Sequence, residues 1–125
     1  MKRLLIVAAL AALAGCSTAP GTGWSRAPDL SVYAAMNSYG DIAREQAILC
    51  GGFRTHRVAS YWEADFGARE AAVTSALVTR HGIEAVRTAE EARERGIPCD
   101  AVPTQKWRHR YERLLRLLET RMGLA

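Results

Sequence analysis

The chain has 125 residues, of which 49% are hydrophobic and 24% charged, and its formal net charge is +4 at pH 7. This length suits one domain with one modest core. Nucleic-acid-binding domains usually carry a much stronger basic excess, so the composition argues against a nucleic-acid partner. The excess falls to +2 if an N-terminal segment that contains Lys2 and Arg3 is removed.

The N-terminal segment has the three parts of a secretory signal peptide. Lys2 and Arg3 give a positively charged start, an uncharged apolar run follows from Leu4 to Leu13, and two small residues come next. A membrane-spanning helix needs about 20 consecutive apolar residues, so this run is too short for a permanent span. We therefore predict that residues 1–15 are a signal peptide that is removed.

The stretch Leu13-Ala14-Gly15-Cys16 resembles the lipobox of bacterial lipoproteins, an aliphatic residue and two small residues before a cysteine. The resemblance implies that Cys16 becomes the N-terminus and is acylated with fatty acids such as palmitate. It also implies anchoring at the periplasmic side of the outer membrane, because Ser17 differs from the aspartate that tends to retain such proteins at the inner membrane. The periplasmic face of the inner membrane is the alternative location. Apart from this covalent lipid we expect no cofactor and no metal.

Residues 16–28 combine Pro, Gly, Ser and Thr with few apolar side chains and are predicted to form a flexible tether. Residues 29–125 then form a single helical domain. Trp24 lies in the predicted tether, and the sequence leaves open whether its ring lies at a lipid interface or docks on the domain.

Two long helices are predicted in the first half of the domain. One spans Leu30–Cys50, with a break at Gly40-Asp41 left open, and ends at the glycine of Gly52-Phe53. The other spans Ser60–His81 and ends at Gly82-Ile83. It opens with an S/T-x-x-E capping box, and its apolar residues recur at helical spacing: Val58, Trp62, Phe66, Val73 and Leu77.

Two further helices complete a mainly α bundle of about four helices. The short third helix is predicted over Thr88–Arg95, between a second capping box and a stop at Gly96-Ile97-Pro98. The last is predicted over Thr104–Met122, after Pro103. A small α+β fold is the alternative, with strands over residues 53–58 and 83–86.

With Cys16 assigned to acylation, Cys50 and Cys99 are the remaining cysteines, and an oxidising periplasm favours a disulfide between them. Free buried thiols are one alternative. A redox or metal site is another, although the chain has no C-x-x-C motif and its three histidines stand apart in the sequence.

The last predicted helix carries an apolar stripe and a strong basic excess. The stripe consists of Trp107, Tyr111, Leu114, Leu115, Leu118 and Met122. The basic residues Lys106, Arg108, Arg110, Arg113 and Arg116 are either solvated, with pairs such as Glu112–Arg116, or form a surface for an anionic partner. That partner would be lipid headgroups, lipopolysaccharide phosphates, a cell-wall polymer or an acidic envelope protein.

Catalytic motifs such as G-x-S-x-G and H-E-x-x-H are absent from the sequence. His56 lies in a predicted polar loop with basic neighbours. Asp65 and Arg69 are predicted to form an i, i+4 ion pair within one helix, and a functional cleft pair is the alternative. We therefore expect a binding or structural role in the envelope and no enzymatic activity, with a small envelope enzyme as the alternative.

Overall fold

The computed structural model describes residues 23–92, 99 and 104–124. These residues form six α-helices and a π-helical turn, Glu63–Gly67, that joins the third helix to the fourth. The helices are α1 (Gly23–Arg26), α2 (Asp29–Leu49), α3 (Thr55–Trp62), α4 (Ala68–His81), α5 (Ile83–Glu91) and α6 (Thr104–Arg121). The mainly helical prediction is therefore confirmed, and both segments proposed as alternative strands are largely helical.

Two predicted helix starts are wrong. The second predicted helix begins at Thr55 instead of Ser60, and the third begins at Ile83 instead of Thr88. Both S/T-x-x-E sequences therefore lie within helices, where the Thr88 hydroxyl donates to the Glu84 carbonyl at 2.9 Å. By contrast, α2 continues without a break through Gly40, and α6 matches its predicted range to one residue.

Glycine ends two helices as predicted. Gly52 has φ +71° and Gly82 has φ +88°, in the region that favours glycine. The Gly82 amide donates to the Val78 carbonyl at 2.8 Å, which satisfies an acceptor in the last turn of α4. The third predicted stop, at Gly96, lies outside the described residues.

The core is built around α2 and α6, with α4 and α5 packed on their flanks. The predicted stripe of α6 is buried except for Met122, which is partly buried just beyond the helix end. Tyr111, Leu115 and Leu118 are fully buried, and Trp107 is 6% exposed. Each fully buried side chain of this size stabilises the fold by about 1.5–3 kcal/mol. The opposite wall comes from α2, with Val32, Tyr33, Met36, Ile42 and Ala43.

An aromatic cluster lies at the π-helical turn. The ring centroids of Trp62 and Phe66 lie 4.6 and 4.9 Å from that of Tyr111. Gly40 provides the space for these rings on α2, because a Cβ there would lie 3.0 Å from Tyr111 and 3.2 Å from Trp62. The Gly40 position in α2 is therefore explained by close packing of α2 against the rings.

Residues 23–28 belong to the domain, so the prediction of a tether up to Pro28 is wrong for them. Trp24 and Ala27 pack against the core. Arg121, at the end of α6, donates to the carbonyl oxygens of Trp24, Ser25 and Ala27 at 2.7–2.9 Å. Trp24 thus docks on the domain, the outcome that the sequence left open.

Candidate functional site

The basic residues of α6 lie on more than one face of the helix. Four cationic side chains, Lys106, Arg110, Arg113 and Arg116, are exposed, and His109 is exposed among them. At 3.6 residues per turn these five positions cover about 120° of the helix circumference, and they extend about 15 Å along its axis. We call these five residues the basic ridge.

Arg108 does not belong to the basic ridge. It lies on the flank of α6 that faces the π-helical turn, where its Nη2 donates to Asp65 at 2.9 Å. Its guanidinium also lies 4.8 Å from the ring centroid of Phe66. Of the five basic residues selected from the sequence, Arg108 is therefore the one that forms an ion pair with another described residue.

Arg110 is exposed, but its position is fixed by aromatic rings. Its guanidinium lies 4.6 Å from the ring centroid of Trp107 and 6.0 Å from that of Tyr39. Such stacking leaves the edge of the guanidinium available for hydrogen bonds. The ring contacts therefore preorganise one donor of the basic ridge.

The predicted Glu112–Arg116 ion pair is not formed, since no N···O distance of 4.0 Å or less joins these two described residues. Instead, Glu112, His109, Arg113 and Arg116 line a surface depression of about 410 Å³. The charges of Arg113 and Arg116 are thus presented to solvent beside one carboxylate.

The predicted pair between Asp65 and Arg69 is wrong. Asp65 pairs with Arg108, and Arg69 donates from Nη2 and Nε to Glu119 of α6 at 2.6 and 3.0 Å. The π-helical turn explains the difference, because its wider turn changes the angular relation of residues four apart. The Arg69 hydrogen bond holds the pKa of Glu119 below its usual value of 4.5, although burial acts in the opposite direction.

A polar cleft on the α2–α4 side was not foreseen from the sequence. It has a volume of about 640 Å³ and is lined in part by Tyr33, Asn37, Glu63, Glu70 and Glu90. The Tyr33 hydroxyl donates to Glu90 at 2.8 Å, and burial is the main cause that raises the pKa of Tyr33. The tyrosine therefore remains protonated at neutral pH and acts as a hydrogen-bond donor.

Glu70 is the central carboxylate of this cleft. It accepts a hydrogen bond from the buried Tyr111 hydroxyl and another from Trp62 Nε1 at 3.4 Å. Burial, followed by the nearby Glu70, raises the pKa of Tyr111. A tyrosine within an apolar stripe indicates that its hydroxyl needs a hydrogen-bond partner, and in α6 that signal predicts a polar group beside Tyr111 without identifying Glu70.

The remaining candidate residues are distributed around the domain. Cys50 and Cys99 lie at disulfide distance, with their Cα atoms 5.6 Å apart. His56 is exposed in α3 instead of lying in a loop, and Cys16 lies outside the described residues. Across residues 23–92, 99 and 104–124, no three His, Cys, Asp or Glu side chains are grouped so that they could hold a metal ion.

Comparison with known proteins gives no relative: no protein-family model, curated protein or solved structure matches the chain. Among the helices of the described residues, none combines the length and the apolar character that crossing a membrane requires.

Proposed function

We propose that the protein is a lipid-anchored lipoprotein on the periplasmic side of the outer membrane, with a non-enzymatic binding role. In this proposal Cys16 carries the lipid, and the basic ridge contacts anionic lipid headgroups. The observation that carries the proposal is the exposure of Lys106, Arg110, Arg113 and Arg116 along one face of α6.

The charges of the basic ridge are available to a partner. No ion pair of 4.0 Å or less involves Lys106, Arg110, Arg113 or Arg116 within the described part of the chain. The buried stripe on the opposite side of α6 fixes the helix against the core, so the ridge is a rigid array. Arginine donates several hydrogen bonds in a planar geometry that suits phosphate groups.

A ridge of this kind complements an acyl anchor. Cys16 lies seven residues before Gly23, a separation that reaches at most about 25 Å when extended. The domain would therefore remain close to the membrane surface. A basic residue near an anionic surface contributes about 1 kcal/mol, and a basic patch together with an acyl chain gives more stable binding than a single chain.

The ridge is tested with a lipid-free version that begins at Gly23, sedimented with vesicles that contain or lack anionic phospholipid. We expect binding to anionic vesicles at low salt, weakening as salt is added. The double variant Arg113→Glu/Arg116→Glu should abolish this binding. The matched control Arg26→Glu/Arg57→Glu has the same change in net charge at exposed positions outside the ridge, and it should retain most of the binding. Equal loss in both variants, or no binding by the unmodified domain, would contradict the proposed role.

The anchor is tested separately by labelling cells that express the full chain with radioactive palmitate. We expect label on the wild-type protein and none on Cys16→Ser. Membrane fractionation then distinguishes the outer from the inner membrane. A wild-type protein that carries no lipid would refute the anchor and leave the vesicle experiment interpretable.

A further inference from the structure

Exposed hydrophobic side chains are concentrated at the end of the domain where α2 turns into α3. Among the described residues, five large hydrophobic side chains are exposed, and three of them lie there: Leu49 (77%), Phe53 (57%) and Tyr61 (61%). Such concentration on the surface of a small domain is typical of a binding site. The bond between Cys50 and Cys99 fixes the turn next to these side chains.

An apolar pocket of about 210 Å³ is lined by the exposed rings of Phe53 and Tyr61. Its walls come from three helices: Ala43 and Ala47 of α2, Val58, Tyr61 and Trp62 of α3, and Thr104 of α6. The two alanines leave the space that larger side chains at these positions would fill. The volume equals about seven water molecules at about 30 Å³ each, which suits a short alkyl chain.

Two arginines also line this pocket. Arg44 lies 4.7 Å from the ring centroid of Trp62 and donates from Nη2 to Asp41, and Arg108 donates from Nη2 to Asp65. One hydrogen bond from each guanidinium is thereby used within the domain. Because a guanidinium has five N–H donors, both arginines keep donors for an anionic group at the pocket.

We infer that this pocket binds a single-chain anionic amphiphile, such as an alkyl carboxylate, with its chain between Phe53 and Tyr61 and its anionic group against Arg44 and Arg108. Apolar walls beside fixed cationic groups are the combination that such a ligand requires. The site uses residues outside the basic ridge and does not depend on the lipid anchor.

The test uses the full chain in nanodiscs of zwitterionic lipid, so that no free detergent competes. The probe is an alkyl carboxylate with a photoreactive diazirine on its chain, and the labelled peptides are mapped by mass spectrometry. We expect label between Phe53 and Trp62, competed by excess decanoate and much less by decyltrimethylammonium, a cation with the same chain length. Label spread over all exposed apolar side chains, or equal competition by both compounds, would overturn the inference.

Two sets of variants test the apolar pocket and its arginines separately. Ala47→Trp fills the pocket and should reduce labelling about tenfold or more, whereas Ala72→Trp, on the exposed face of α4, should leave labelling unchanged. Arg44→Gln/Arg108→Gln should remove the preference for the carboxylate, by about tenfold, while an uncharged diazirine analogue still labels. The competition experiment needs no variant, so it tests the preference of the pocket for an anionic ligand even if a variant fails to fold. Labelling that falls as protein concentration rises would instead assign the pocket to a second copy of the chain.

Discussion

The hydroxyl of Tyr111 on α6 donates a hydrogen bond to Glu70 on α4, at the centre of the aromatic cluster. Tyr111 is fully buried. We predict that Tyr111→Phe lowers the free energy of unfolding by about 1–3 kcal/mol, because it removes the closer of the two donors to the partly buried Glu70 carboxylate and leaves it, among the described residues, only the Trp62 Nε1 hydrogen bond at 3.4 Å. Urea unfolding followed by circular dichroism measures this change. Tyr61→Phe, at an exposed ring, is the control and should leave stability nearly unchanged; an equal loss in both variants would contradict the role of the Glu70 bond.

Gly40 is expected to be intolerant of even a methyl group. Alanine would favour the helix by about 1 kcal/mol, but its Cβ would lie 3.0 Å from the Tyr111 ring and 3.2 Å from the Trp62 ring, both of which are buried. Overpacking of this kind costs about 1–3 kcal/mol, so we predict net destabilisation by Gly40→Ala. Thermal unfolding compares it with Gly23→Ala, where nothing lies within 4 Å of the new methyl group. A stabilised Gly40→Ala variant would show that the rings can move away.

The sequence predicted those parts of the fold that depend on the pattern of a single helix. The α6 stripe is buried because its period places every apolar member on one side, and Gly82 ends α4 because its backbone takes a positive φ. The starts of α3 and α5 were missed, since their preceding residues, Arg54 and Gly82, make no side-chain cap that a motif could reveal.

Ion pairs between side chains of different helices could not be predicted from the sequence, for a different reason. The π-helical turn changes the register between Asp65 and Arg69, so both residues find partners on α6 instead of each other. Local spacing alone does not indicate such a turn. The basic ridge was found from charge composition, but the separation of Arg108 from it depends on where Asp65 lies in the folded protein.

Asp29 is expected to couple stability to pH. Burial acts to raise its pKa, but hydrogen bonds from His81, Arg121 and Arg80 outweigh burial and hold the pKa below 3.8. A depressed pKa in the folded state stabilises the fold above the unfolded value, and this contribution is lost as pH falls through the folded value.

We therefore predict that Asp29→Asn is less stable than the wild type at neutral pH, and that the difference shrinks as pH falls below 3.8 and through the lower folded-state pKa of Asp29. Urea midpoints measured across this range test the prediction. Asp65→Asn provides a comparison. Asp65 and its ion-pair partner Arg108 are both partly exposed to solvent, so the loss of this pair should change stability less. A constant difference between Asp29→Asn and the wild type at all pH values would contradict the coupling.

Cys50 and Cys99 lie at disulfide distance, and we predict that a bond between them stabilises the domain mainly through the unfolded chain. It joins residues 49 positions apart, and the chain-entropy relation gives about 4 kcal/mol for a loop of this length. We expect the double variant Cys50→Ser/Cys99→Ser to show a loss of this order in urea unfolding. Adding a reductant should lower the urea midpoint of the wild type to that of the double variant and leave the midpoint of the variant unchanged. A reductant that leaves the wild-type midpoint unchanged would show that no bond forms in solution.

The indole N–H groups of the buried Trp62 and Trp107 are predicted to contribute differently to the stability of the fold. Trp62 Nε1 donates to Glu70 at 3.4 Å, whereas the buried Trp107 Nε1 has no hydrogen-bond partner among the described residues. Replacement by phenylalanine removes similar ring volume in both cases. Trp62→Phe, however, also removes a hydrogen-bond donor to the Glu70 carboxylate. Trp107→Phe instead removes a buried donor whose desolvation is unfavourable. We therefore expect Trp62→Phe to be the more destabilising variant by about 1–3 kcal/mol in urea unfolding. Equal losses would mean that ring volume alone determines the effect and that the Trp62 hydrogen bond adds nothing to stability.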